Sequence, residues 1–522
     1  MQVKIFDTTL RDGEQGEGIS FTVSDKIKIA KLLDDIGVHY IEGGWPGSNP
    51  KAVDFFDAMC EVKLKRAKVV AFGSTKRHGV LASEDANLKA IVSSGVRVAC
   101  IFGKTWDFHV THALKISLEE NLTLITDSIR FLKEKMDEVF FDAEHFFDGY
   151  KKNPEYAIKC LQSAEAGGVD VLVLADTNGG TLTHEVEEIM NVVKNKVKVP
   201  LGIHAHNDSE LAVANSLTAV HCGAVQVQGT INGYGERAGN ANLCSIIPAL
   251  KLKMKIACIS DEELATLTKV SRHISEIANL PHNNHFAYVG KSAFAHKGGI
   301  HVSAINKYSE TYEHIKPELV GNKQRVLISE LSGVSNLKYK AEKIGINLDG
   351  TEQAVKDLLK DIKELEKIGY QFEEGEATFE LMLKRATGQH TSFFELVSLR
   401  VINDRFGEDD YHLVEATVKL KVNGKVIHTA GEGSGPVGAL DHALRKAIEG
   451  SFPEIKTMRL VDYRVRVLNS TDGTDAKVRV IIASQDDNET WGTVGVSANI
   501  IEASWFALVD SIEYKLLKER QK

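Results

Sequence analysis

The residues with the most chemical content are Arg11-Asp12, in the segment IFDTTLRDGEQ (Ile5–Gln15), and His204-Ala-His206 much later in the chain. Residues i and i+2 of a strand project from one face, so both imidazoles can reach a single ion. A carboxylate after a first strand would complete a three-ligand set. Two imidazoles and a carboxylate suit Zn²⁺, Mn²⁺, Co²⁺ or, less well, Mg²⁺. Alone, His-x-His on a strand is more often structural, and Arg11-Asp12 would be an ordinary surface pair. Their joint occurrence at the ends of two strands is what points to a metal. Asn240, in GYGERAGN, could add a carbonyl ligand, although a turn is the commoner meaning of Asn in such a loop. Open coordination positions suit a 2-oxo acid bound through its carboxylate and keto oxygens. Arg11 would then face the oxygen that becomes an alkoxide.

A metal-bound keto acid needs a carbon nucleophile, and enolising a thioester methyl needs a base. Glu144, at the end of a predicted strand, is the best-placed carboxylate, and His145 should alternate to the other face. His301 in HKGGIH is a second candidate, because paired glycines permit close approach of backbone to a ligand. Its bland reading is an exposed loop histidine. Thr177 offers a hydroxyl to a substrate carboxylate, with a helix N-cap as the equally good alternative.

These residues need a scaffold, and the first half of the chain supplies its pattern. Apolar runs at Val3–Asp7, Tyr40–Gly44, Val69–Gly73, Val96–Phe102, Val139–Ala143, Val171–Ala175, Leu201–Ala205 and Ala224–Gly229 alternate with helical periodicity. One such helix spans Ser24–Ile36, with Ser24 as the expected N-cap and Gly37 as its stop. The pattern predicts a (β/α)₈ TIM barrel, with a doubly wound open sheet as the rival. Asp12, Glu42, Ser74, Lys104, Glu144, Asp176, Thr177, His206 and Asn232 fall at or just past strand ends, the face from which barrels build their sites. The expected barrel covers 1–270. Helical linker subdomains carrying HKGGIH are expected over 271–390, irregular between Pro281 and Gly333, with a charged amphipathic helix at Thr351–Ile368.

The last segment, 391–522, repeats itself. Strands at Leu396–Ile402, Val414–Val422 and Lys425–Thr429 precede a helix at Gly435–Ile448. Strands at Met458–Leu468, Ala476–Ala483 and Trp491–Val496 precede a helix at Ile500–Leu517. A duplicated βββα α+β domain follows, with a glycine-containing approach before each helix. Helix N-termini favour anions, though a tight turn explains either glycine run by itself.

Composition excludes several classes. The chain has 522 residues, 26% of them charged, and a net charge of −9, which gives no electrostatic footprint for nucleic acid. Six dispersed cysteines form neither a zinc ribbon nor a disulfide framework. The apolar runs are too short to cross a membrane, and the first residues read as a strand instead of a leader. The expected location is cytoplasmic.

At these residues the chain resembles the α-isopropylmalate, homocitrate and citramalate synthase family. FDTTLRDGEQ (Phe6–Gln15), HAHND with LAVANSL (His204–Leu217), GERAGN (Gly235–Asn240) and HKGGIH (His296–His301) look like its signatures. The resemblance covers essentially the whole chain, including a regulatory C-terminal module. It implies condensation of acetyl-CoA with a 2-oxo acid, then thioester hydrolysis, on a divalent metal held by Asp12, His204 and His206, to which the residue reading adds Asn240 as a further ligand. It implies that Arg11 contacts the keto acid, Thr177 binds its carboxylate, and Glu144 and His301 handle protons. Tyr312 joins Arg11 and Thr177 in the expected substrate-binding set. His301 comes from the partner subunit in the family, so a homodimer or larger homo-oligomer is expected. EGGWPGSNP (Glu42–Pro50), GKTWDFHV (Gly103–Val110) and RVLISELSGVSN (Arg325–Asn336) look most like the citramalate-forming branch, which implies pyruvate as keto acid and isoleucine as a candidate effector. One departure stands out: after HND the family usually has x-Gly, whereas this chain has Ser209-Glu210. Isopropylmalate or homocitrate synthesis, and a metal-dependent acyl-CoA lyase, are the neighbouring alternatives. A non-catalytic sensor fits poorly with an intact Arg-Asp/His-x-His set. A biotin-dependent carboxyltransferase would want an AMKM-like strand that the sequence lacks.

Overall fold

The structure is a computed structural model that describes residues 2–329, 332–348, 350–406, 411–468, 473 and 475–520. Its contacts divide the chain into two units, Met1–Phe294 with Ile315–Gln324, and Ala295–His314 with Arg325–Lys522.

The first unit is a closed parallel barrel in the order β1-β2-β3-β4-β5-β6-β7-β8, so the open-sheet rival is excluded. The strands are β1 (Lys4–Asp7), β2 (Tyr40–Gly44), β3 (Lys68–Ser74), β4 (Val98–Lys104), β5 (Glu138–Glu144), β6 (Val171–Asp176), β7 (Leu201–Ala205) and β8 (Gln226–Gly229). Closure is set by β1, which pairs with β2 on one side and β8 on the other. Helices bury their apolar stripes against the outside of the barrel. The helix Val23–Asp35 buries Ile29, Ala30 and Leu33. It is capped by Thr22 in a reciprocal box with Asp25, so the expected cap at Ser24 lies two residues too late. Thr22 wins because Asp25 stands three residues on, where its carboxylate can return to the cap's own N–H.

Inside the barrel, Phe6, Tyr40, Val70, Phe72, Val98, Cys100 and Phe140 form an apolar plug. Tyr40 and Phe140 meet edge to face at 5.0 Å. Strand period then fixes what stands above the plug: Asp142 and Glu144 follow Phe140 on one face of β5, and Glu42 follows Tyr40 on β2. The polar site therefore sits at the C-terminal mouth because the barrel's lower layers are filled with rings.

In the second unit, β9 (Ala295–His296) pairs in parallel with β10 (Arg325–Val326). The stretch expected to be irregular holds the helix Gly299–Ile305, and its residues Glu330 and Leu331 lie outside the described ones. The amphipathic helix forms over Glu352–Lys367 and buries Val355, Leu358 and Ile362. Two antiparallel sheets follow. One has the order β11 (Phe394–Phe406), β12 (Tyr411–Val422), β13 (Lys425–Gly433), and the other β14 (Arg459–Val467), β15 (Val478–Gln485), β16 (Thr490–Ser497). Helices Pro436–Ile448 and Ile500–Arg520 complete the duplicated βββα pattern. The glycine runs have a packing cause. A Cβ on Gly433 would lie 2.4 Å from Ala439 N, and one on Gly495 would lie 2.1 Å from Ala503 O, so each strand needs glycine where its helix crosses. No helix among the described residues is long and apolar enough to cross a membrane.

Candidate active site

The chain turns sharply after β1. Asp7 accepts hydrogen bonds from the Thr9 N–H and Thr9 hydroxyl, both at 2.9 Å, and Thr9 Oγ1 accepts from Ile231 N–H at 2.9 Å. This side-chain turn directs Arg11 and Asp12 back over the mouth. Buried Lys26 fixes the segment from outside, donating to Leu10 O at 2.7 Å and pairing with Glu14 at 2.7 Å.

Asp12, His204 and His206 meet there, all buried. Asp12 Oδ2 lies 3.3 Å from His204 Nε2 and 3.8 Å from His206 Nε2, and the two Nε2 atoms are 3.2 Å apart. Burial and the neighbouring His204 push His206 down to about 4, so at neutral pH it keeps a lone pair. Burial opposes the charge on Asp12, but Arg11 and His204 outweigh it and hold the carboxyl far below its ordinary range. Asn240 stands against His206 in an isolated antiparallel bridge, donates through Nδ2 to Tyr234 O at 3.3 Å, and has a buried Oδ1 without a hydrogen-bond partner. Two imidazoles, a carboxylate and an unengaged amide oxygen fit a divalent cation by donor type.

Arg11 lies beside them. Its Nε donates to Glu42 Oε2 at 2.6 Å, and its guanidinium carbon stands 3.8 Å over the Phe72 ring. Burial disfavours the guanidinium, yet Glu42 and Asp12 more than offset this and raise its affinity for the proton. A cavity of ≈ 250 Å³ opens on this group, lined by Asp12, Arg11, Glu144 and Thr177 among polar residues and by Trp45, Phe72 and Phe102 among apolar ones. Glu144 contacts the Lys104 ammonium. Thr177 is no helix cap: its Oγ1 accepts from His145 N–H at 2.9 Å, which leaves its hydroxyl proton to donate elsewhere.

Other strand-end residues turn inward on the fold itself. Ser74 bonds the Thr75 carbonyl, Asp176 is engaged by Thr181, and Asn232 donates to Ser271 O and Ser275 Oγ. His145 sits at φ 55 after β5 and meets His109 edge to face at 4.4 Å. His301 belongs to the second unit, in the helix Gly299–Ile305, where it stacks on Tyr312 at 4.2 Å. The sequence reading omits Asp142, Gln228 and the aromatic trio Trp45, Phe72 and Phe102. Asp142 carried a legible signal, two residues before Glu144 on one strand. Gln228 did not, because its meaning depends on standing opposite His204 in the β7–β8 register.

The HMGL-like family matches residues 2–274, the homocitrate synthase post-HMGL domain-like family matches 288–369, and the LeuA allosteric (dimerisation) domain matches 375–516. An (R)-citramalate synthase of Geobacter sulfurreducens is 59% identical, over 99% of this chain and 98% of its own. An (R)-citramalate synthase of Aquifex aeolicus is 54% identical over 100% and 99%. A 2-isopropylmalate synthase of Methanocaldococcus jannaschii is 32% identical over 100% and 96%.

Proposed function

Because this chain belongs to the HMGL-like family, and within it to the (R)-citramalate synthases, we propose that it condenses acetyl-CoA with pyruvate and hydrolyses the thioester to give citramalate and CoA. It is an acyl-transferring enzyme of a metal-dependent family. A divalent ion held by Asp12, His204 and His206, with Asn240 as a further ligand, would supply Lewis acidity toward the keto oxygen of pyruvate.

The remaining roles fall to this chain's own groups. Thr177, with its free hydroxyl proton, receives the pyruvate carboxylate. Glu144 takes a proton from the methyl of acetyl-CoA, and the resulting enolate carbon attacks the keto carbon. The carbonyl electrons pass to the keto oxygen, where Arg11 stabilises the developing charge. Water then attacks the thioester carbonyl and CoA leaves as the thiol. The observation that carries these assignments is the fixing of Arg11 between Glu42 and Phe72 beside a three-ligand set. A cation held in advance costs no reorganisation when charge develops. His301, with Tyr312 stacked on it, takes the second proton-handling role on the strength of the HKGGIH resemblance, delivered from a partner subunit. Homo-oligomerisation through the LeuA-type module agrees with exposed Leu460, Val461, Val465 and Val467 on β14. We assign the product to isoleucine synthesis and isoleucine as effector of that module.

The likeness to citramalate synthases over the whole chain supports pyruvate over longer keto acids. With acetyl-CoA and a panel of 2-oxo acids, free-thiol release should be greatest with pyruvate. A preference for 2-oxoisovalerate would move the assignment to isopropylmalate synthesis.

A further inference from the structure

Two buried polar side chains at the barrel mouth have no part in the chemistry above, Gln228 and Asp142. His204 stands directly across the β7–β8 register from Gln228. Gln228 Oε1 lies 2.9 Å from His204 Nδ1, and Gln228 Nε2 donates to Asp142 Oδ1 at 2.9 Å.

With Asp142 ionised, the chemistry of these groups leaves one arrangement of the neutral ring. A terminal amide has one accepting end and one donating end, and a carboxylate only accepts. Asp142 therefore draws the amide NH₂ of Gln228 toward itself, which turns the amide carbonyl to His204. A carbonyl accepts as well, so the ring proton of neutral His204 must sit on Nδ1. Its Nε2, the atom that faces Asp12 and His206, is left with a free lone pair. We infer that Gln228 and Asp142 are positioning residues that set the tautomer of His204, so that Nε2 is the donor presented to a metal. The inference rests on the metal reading of Asp12, His204 and His206. Groups that hold the far nitrogen of a ligating histidine typically matter by about 10–100-fold in metal affinity.

The first test uses the metal-free full-length protein carrying ¹⁵N-labelled histidine, at a pH alkaline enough for imidazole to be neutral. The His204 resonances, identified by their loss in His204→Gln, should report the Nδ1–H tautomer. Gln228→Leu should gain the Nε2–H tautomer and bind Mn²⁺ about 10–100-fold more weakly in competition with a chelator. The double variant Asp142→Asn/Gln228→Glu exchanges donor and acceptor between the two residues while keeping an accepting oxygen toward Nδ1. It should recover both the tautomer and most of the affinity. An Nε2–H signal in the parent, unchanged binding in Gln228→Leu, or a folded double variant without recovery overturns the assignment. The parent tautomer is read without metal, so a parent that binds no divalent ion while showing Nδ1–H overturns the metal reading alone.

Discussion

Glu144 ends β5 with its side chain on the cavity and the Lys104 ammonium against its carboxylate. Glu144→Gln keeps size and hydrogen-bonding capacity but cannot take a proton. Turnover should fall by about 10²–10⁴-fold while the KM for pyruvate changes little. Exchange of the acetyl-CoA methyl protons into deuterated water is the direct readout, and unchanged exchange would assign the base elsewhere. A second residue sets an acid limit on the fold. His39 accepts the Ile5 N–H through Nδ1 at 3.1 Å, which a protonated ring could not do. Burial, with Lys4 and Arg66 nearby, pushes it from 6.5 down to about 4. Its folded pKa lies below the unfolded one, so the unfolded chain binds more protons between those values. The stabilisation is complete above pH 6.5 and is lost as pH falls toward 4. His39→Asn retains an acceptor and does not titrate, so its melting temperature should fall less steeply across that window. An equal slope would place the acid loss on other groups.

At the scale of elements, the link from β7 to the helix Ala212–His221 shows local sequence yielding to geometry. Glu210, where the family resemblance leads to an expectation of glycine, is exposed and sits at φ 61. Its N–H bonds Asn207 O at 2.9 Å, so the left-handed conformation is tied to the segment that carries His206. An L side chain pays roughly 1–2 kcal/mol there, and glycine's greater freedom when unfolded returns roughly 0.5–1 of it. Glu210→Gly should therefore stabilise the barrel by about 0.5–1 kcal/mol in denaturant unfolding. A loss of stability would mean that the Glu210 side chain makes contacts worth more than the strain.

For the whole molecule, the duplicated βββα module, which matches the LeuA allosteric (dimerisation) domain, is where the proposed regulation is tested. Isoleucine should give a heat of binding with the full-length chain and lower its turnover, because an inhibitor must bind the less active state more tightly. A tenfold difference in affinity between states corresponds to about 1.4 kcal/mol of coupling. Both effects should vanish in a chain ending near residue 390. No heat with isoleucine, leucine or valine would leave the module as a dimerisation unit alone.

The barrel was legible in the sequence because short-range patterns encode it: strand runs, helix periodicity, and polar residues at strand ends. The Arg-Asp and His-x-His pairs were legible for the same reason, since period two puts both imidazoles on one face. The fold-directed bonds of Ser74, Asp176 and Asn232 were not, because a side chain's partner is settled by what surrounds it. Asn232 reads as a strand-end candidate, yet the fold turns its amide onto Ser271 and Ser275. Gln228 carries no motif at all. Its role arises only when β7 and β8 come into register and β5 brings Asp142 to its far side, a three-strand meeting that depends on barrel closure.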